Sequence, residues 1–142
     1  MNFNTITSLV IIISNFLMAL LIFTKSEGRK PAKLWGTLCV LVVFWGVGNY
    51  IFSTTVSIDR AFFGWQIANI GSICIPIIYA HFTFEYLKID KTKLFKFLYI
   101  IMCFLLVINF SFKKYFLGDL KFVFGEFYTI DWTKNKSPIY LA

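Results

Sequence analysis

The run AFFGWQIANIGSICIPIIYAHFTFEYL, residues 61–87, decides the fold. Nothing ionisable lies between Arg60 and His81, and about 18 such residues are enough to cross the hydrocarbon core of a bilayer. The run therefore predicts a membrane-spanning helix with turns to spare. At about 100° per residue, Trp65, Asn69, Ser72, Pro76, Tyr79 and Thr83 fall on one stripe, with Gly64, Ala68 and Gly71 beside it. Phe63, Ile67, Ile70, Cys74 and Ile78 lie opposite. Lipid is as apolar as leucine, so small and polar residues on one face mark the side that meets other helices. The stripe is expected to point into a bundle. Pro76 has no N–H and crowds the Ser72 carbonyl, which predicts a kink near the middle of the span.

Three more apolar runs, residues 5–23, 34–53 and 94–112, have the length of spans. The first has no basic leader and no small-residue cleavage site before Lys25, so it reads as a retained helix and not as a signal peptide. Gly46, Gly48 and Asn49 cluster toward the far end of the second, a further place for close helix packing around a polar group. The expected fold is an all-α, multi-pass transmembrane bundle of four helices in one membrane domain, with a small outer loop at residues 113–138. Within that loop, LKFVF and FYTIDW flank Gly125 and Glu126, a spacing that suits a β-hairpin with a two-residue turn. An apolar run resumes at about residue 139, the expected start of a fifth helix in a longer parent protein.

The 142 residues are 58% hydrophobic, 20% aromatic and only 15% charged, whereas soluble domains carry about 25% charged residues. The net charge of +7 would suit nucleic acid if the basic residues formed one patch. They cluster instead in the gaps between apolar runs, which excludes a nucleic-acid reading and makes the lipid bilayer the first partner. Lys25–Lys33 and Lys88–Lys96 each hold four basic residues, against Arg60 alone in the second gap. Lysine and arginine stay on the cytoplasmic side of short loops. The amino terminus and the loop at 113–138 are thus expected outside. Cys39, Cys74 and Cys103 stand singly in three different runs, as small hydrophobes and not as a disulfide or zinc framework.

No phosphate loop, nucleophile with its base, or pair of carboxylates occurs, so the chain itself predicts no enzyme and no cofactor. His81 and Glu85, four apart on one helix face, read as an interfacial or hydrogen-bonded pair, with a proton- or ligand-linked role as the alternative. Two ligands do not make a metal site. Asn49, Asn69 and Asn109 all fall in the outer half of their helices. With Trp65 and Tyr79 as amphipathic walls, Asn49 and Asn69 outline an outer pocket for a small amphipathic ligand; interhelical hydrogen bonding is the plainer reading of each Asn.

The elements WQIANIG (Trp65–Gly71), Pro76 and HFTFEY (His81–Tyr86), with FWGVGNY before them (Phe44–Tyr50), Gly125 to Tyr128 and Pro138 to Tyr140, resemble the amino-terminal seven-transmembrane sensor region of bacterial histidine kinases. The likeness extends over nearly the whole chain and matches its first four helices and outer loop. It implies a sensor or receptor of two-component signal transduction in the bacterial cytoplasmic membrane. It also implies three further helices, an output domain such as a histidine kinase or cyclic-dinucleotide enzyme, and a homodimer of the full-length protein. A fragment of a transporter or permease, or a structural membrane subunit, is the competing expectation.

Overall fold

The computed structural model of the chain describes residues 3–111, 120–123 and 127–130. Four helices follow in order: α1 (Phe3–Lys25), α2 (Lys30–Thr54), α3 (Ile58–Tyr86) and α4 (Thr92–Ser111). Each is long and apolar enough to cross a membrane. At 1.5 Å per residue the 29 residues of α3 reach roughly 43 Å, well beyond a hydrocarbon core of about 30 Å, so its ends enter the interfaces. The ends differ from expectation in ways local chemistry explains. Helix α2 starts at Lys30 and not at residue 34, with Pro31 in its first turn, where a missing N–H costs nothing. Helix α3 starts at Ile58 and not at residue 61, which brings Asp59 into its first turn, where a carboxylate favours the positive end of the helix dipole. It then runs through Pro76 to Tyr86 as one helix.

The helices pack in sequence order, α1 against α2, α2 against α3 and α3 against α4, with the α2–α3 seam the most extensive. Helix α3 is the centre: 44% of its most apolar stretch is buried, against 11% for α1 and for α4. The burial is inverted relative to a water-soluble bundle. On α1, Thr5, Ser8 and Ala19 are buried while Val10, Ile13, Phe16 and Leu17 are more than half exposed. Small and polar side chains let backbones approach, and the large apolar ones are left for lipid.

The two small-residue clusters of α2 and α3 meet. A Cβ built on Gly48 would lie 2.5 Å from the Gly64 carbonyl oxygen and 2.7 Å from the Ala68 Cα, so the two backbones touch where only hydrogen fits. Further along, a Cβ on Gly71 would lie 2.7 Å from the Trp45 Cβ.

The expected stripe on α3 holds only in its first half. Gly64, Ala68, Asn69 and Gly71 are buried, but Ser72, Pro76 and Tyr79 are exposed, and Cys74 and Ile78, expected at the lipid face, are buried. A single interior stripe assumes one partner. With α2 on one side and α4 on the other, α3 buries two faces, and the second takes residues that one stripe assigned to lipid. Cys39 and Cys74 are buried, whereas Cys103 is exposed on α4, all three as free thiols.

Beyond α4, β1 (Leu120–Val123) and β2 (Phe127–Ile130) form an antiparallel ladder, and β2 approaches α2. The hairpin was expected, but its register differs. Val123 pairs with Phe127, leaving three residues between the last partners and not two. The Gly125–Glu126 turn itself, the rest of the outer loop and the expected fifth-helix start lie outside the described residues.

Candidate functional site

The polar groups along α3 build three separate arrangements, beginning with a buried amide cluster on the face toward α4. Gln66 and Asn109 are 2% and 0% exposed, the largest fully buried side chains among the described residues. Gln66 Nε2 donates to the Asn109 main-chain oxygen at 2.9 Å, and Asn109 Nδ2 donates to the Gln66 main-chain oxygen at 3.0 Å. Asn69 Nδ2 completes the group by donating to Asn109 Oδ1 at 3.1 Å. Three bonds cross one helix pair, and at about 0.6 kcal/mol each they contribute roughly 2 kcal/mol. The α3–α4 seam is small, so the lock holds α4 against α3 and fixes its register.

One residue before Gln66, Trp65 turns the other way. It stacks on Phe52 of α2, ring centroids 4.6 Å apart and planes 7° from parallel. Its Nε1 is buried with no hydrogen-bond partner among the described residues. The indole edges a cavity of about 300 Å³ between α1, α2 and α3, which Asn4, Thr7, Ser8, Asn49 and Ser53 also line. The hydroxyls of Thr7, Ser8 and Ser53 donate to the carbonyls of Phe3, Asn4 and Tyr50, and one N–H of Asn49 Nδ2 donates to the Trp45 carbonyl, the amide carrying a second N–H besides. Their oxygens keep lone pairs free to accept. The cavity thus combines amide and hydroxyl groups, with no ionisable side chain in its lining, and walls of Ile11, Trp45 and Phe52. A molecule that suits it is small and uncharged, with hydrogen-bonding groups at one end and an apolar remainder. A buried indole N–H left without an acceptor costs about 1–3 kcal/mol.

The third arrangement lies at the lysine-rich end. His81 Nδ1 is 2.7 Å from the Tyr99 hydroxyl of α4, and the imidazole stacks on buried Phe95 at 4.6 Å and 21°. His81 and Glu85 line the same cavity, but the partner His81 takes is Tyr99 and not Glu85.

The four residues expected to share one outer pocket are therefore divided. Asn49 and Trp65 line the cavity together, Asn69 belongs to the amide lock, and Tyr79 is 56% exposed, away from both. Asn69 and Asn109 do converge, whereas Asn49 turns back on its own helix. Gln66 was missed as a site residue, although a glutamine three residues before Asn69 in an apolar run places two amides on one face and was a readable signal. The hydroxyls that α1 brings to the cavity carried no such signal, because their meeting with Trp65 is made by the bundle.

No family model, curated protein or solved structure matches this chain.

Proposed function

We propose that this chain is the membrane-embedded input module of a signalling protein, in which a small uncharged amphiphile occupies the cavity beside Trp65 and its presence is passed along α3 to α4. The observation that carries the reading is a cavity of about 300 Å³ between α1, α2 and α3, lined by five polar side chains and by Trp65, whose Nε1 is buried without a hydrogen-bond partner among the described residues. Trp65 adjoins Gln66, so a change in the indole's position bears directly on the amide lock that holds α4. Binding at one end thus has a mechanical route to the lysine-rich end, where an output domain would be attached. The resemblance to the sensor region of bacterial histidine kinases agrees with this reading and suggests the kind of output, a histidine kinase or cyclic-dinucleotide domain in the cytoplasm, with the amino terminus outside and two copies side by side. A permease reading fits less well, because such sites are built on discontinuous helices and α3 is continuous from Ile58 to Tyr86.

The test uses the emission of Trp65 in a variant whose Trp35, Trp45 and Trp132 are phenylalanine, in lipid nanodiscs. Short-chain aliphatic amides, which combine an acceptor, two donors and an apolar tail, are expected to shift the emission saturably. Asn49→Leu should weaken the response by about tenfold, the loss of one hydrogen bond of about 1.4 kcal/mol. A linear response with no saturation would show only partitioning into lipid, and the proposal would fail.

A further inference from the structure

A larger cavity, about 510 Å³, opens at the other end of the bundle. Lys30 from the first residue of α2, Lys88 and Lys91 from the α3–α4 connection and Lys96 from the start of α4 line it. Set against Glu85 and Asp90, the four lysines leave the lining with a formal charge of +2. The backbone that carries Lys88 is built and not slack. Ile89 N–H donates to the Phe84 carbonyl at 2.9 Å and Lys88 N–H to the Glu85 carbonyl at 3.2 Å, the double bond pattern that closes a helix through a left-handed residue. That residue is Lys88, at φ 56°, a conformation suited to glycine and strained for a lysine. Helix α4 begins just after Lys91, and a helix start adds the positive end of its dipole to the same place.

Beside this cavity runs an apolar groove of about 840 Å³, and Lys30 and Glu85 belong to both. Trp35, Phe82 and Tyr86 form the groove's wall, with ring centroids 5.2 Å apart for Trp35–Phe82 and 6.0 Å for Phe82–Tyr86. Aromatic side chains of this kind sit at the boundary between headgroups and acyl chains. A positive chamber and an apolar groove with a common wall, on a bundle of membrane spans, match the two halves of one molecule.

We infer that this end of the bundle binds one anionic phospholipid, its phosphate among Lys30, Lys88, Lys91 and Lys96 and an acyl chain along Trp35 and Phe82. A free phosphate would satisfy the lysines but leave the groove without an occupant. A zwitterionic lipid would fill the groove but bring no net charge to the chamber. The site is independent of the Trp65 cavity, and neither reading requires the other.

The test measures quenching of Trp35 by phospholipids brominated on their acyl chains, in detergent micelles, with Trp45, Trp65 and Trp132 replaced by phenylalanine. Brominated phosphatidylglycerol is expected to quench saturably at a lower mole fraction than brominated phosphatidylcholine. Lys88→Gln with Lys91→Gln should weaken the phosphatidylglycerol response about thirtyfold, from about fivefold per lysine near an anionic lipid, and leave the phosphatidylcholine response unchanged. Arg60→Gln, at the opposite end of the bundle, should change neither. A parallel measurement avoids tryptophan replacement: the thermal unfolding midpoint of the unaltered protein should rise with phosphatidylglycerol and not with phosphatidylcholine or inorganic phosphate. Equal quenching by the two lipids, full retention in the double lysine variant, or the same thermal shift with inorganic phosphate alone would each overturn the inference.

Discussion

Replacing Gly48 by alanine sets two effects of opposite sign against each other. In a helix considered alone, alanine is preferred to glycine by about 1 kcal/mol, so sequence propensity predicts stabilisation. The bundle predicts the reverse. The new methyl would lie 2.5 Å from the Gly64 carbonyl oxygen and 2.7 Å from the Ala68 Cα, where ordinary contact begins at 3.4 Å. These obstacles, and the Ala68 nitrogen closer still, are backbone, so none can rotate away, and α2 and α3 must part by about 1 Å. A gap of that size forfeits a quarter to a half of each dispersion contact along the seam, and overpacking of this kind costs about 1–3 kcal/mol. The net expectation is a loss of about 1–2 kcal/mol, measured as reversible unfolding in mixed micelles with a denaturing detergent. Gly46→Ala is the internal control. Its methyl would meet Ile12 Cγ1 at 2.9 Å and Ile11 Cγ2 at 3.3 Å, side-chain atoms that shift by a few tenths of an ångström more readily than backbone, so it should cost less than Gly48→Ala by about 1 kcal/mol. If Gly48→Ala proves as stable as Gly46→Ala, the account of α3 as the helix on which α2 closes backbone to backbone is wrong.

Asn109→Leu removes two of the three bonds of the amide lock, because the Asn109 main-chain oxygen still accepts from Gln66. The expected loss is about 1.2 kcal/mol in the same unfolding assay, together with faster cleavage of the α3–α4 connection by protease; unchanged protection would refute the lock. The basic asymmetry of the connections predicts orientation: on a cysteine-free background, Lys30→Cys and Lys91→Cys should resist an impermeant thiol reagent in intact cells while Ser57→Cys reacts, and the opposite pattern would reverse the topology. In the cavity, Trp65→Phe should abolish the saturable amide response, followed by thermal shift, without lowering the unfolding free energy by more than about 1 kcal/mol, since the lost donor has no partner among the described residues to lose with it. A retained response would remove the indole from the site.

The spans were legible because desolvation of charge is a property of the chain alone: any window free of ionisable groups for long enough predicts a helix in lipid, and all four appear within a few residues of their expected places. The small residues were legible for a related reason. Gly48 and Gly64 mark surfaces where backbones touch, and they touch each other. What was not legible is which face of a helix meets which neighbour. Tyr79 and Cys74 exchanged places with expectation because α3 is gripped from two sides, a fact of assembly that periodicity on one helix does not encode. The same limit separated Asn49 from Asn69. Both are polar and at similar depth, but one looks toward α1 and the other toward α4. The hairpin illustrates a finer limit, where turn chemistry located the reversal and strand pairing moved the register by one residue.

The central claim, that occupancy beside Trp65 moves α4, is tested most directly by pulsed electron spin resonance between labels at Lys33 of α2 and Phe97 of α4, both exposed near the lysine-rich end. In nanodiscs on a cysteine-free background, a saturating short-chain aliphatic amide should shift the inter-label distance by about 1–2 Å, the scale of helix displacements in switching proteins, and Trp65→Phe should abolish that shift. An unchanged distance distribution, in a protein whose Trp65 emission shows the amide bound, would contradict the account.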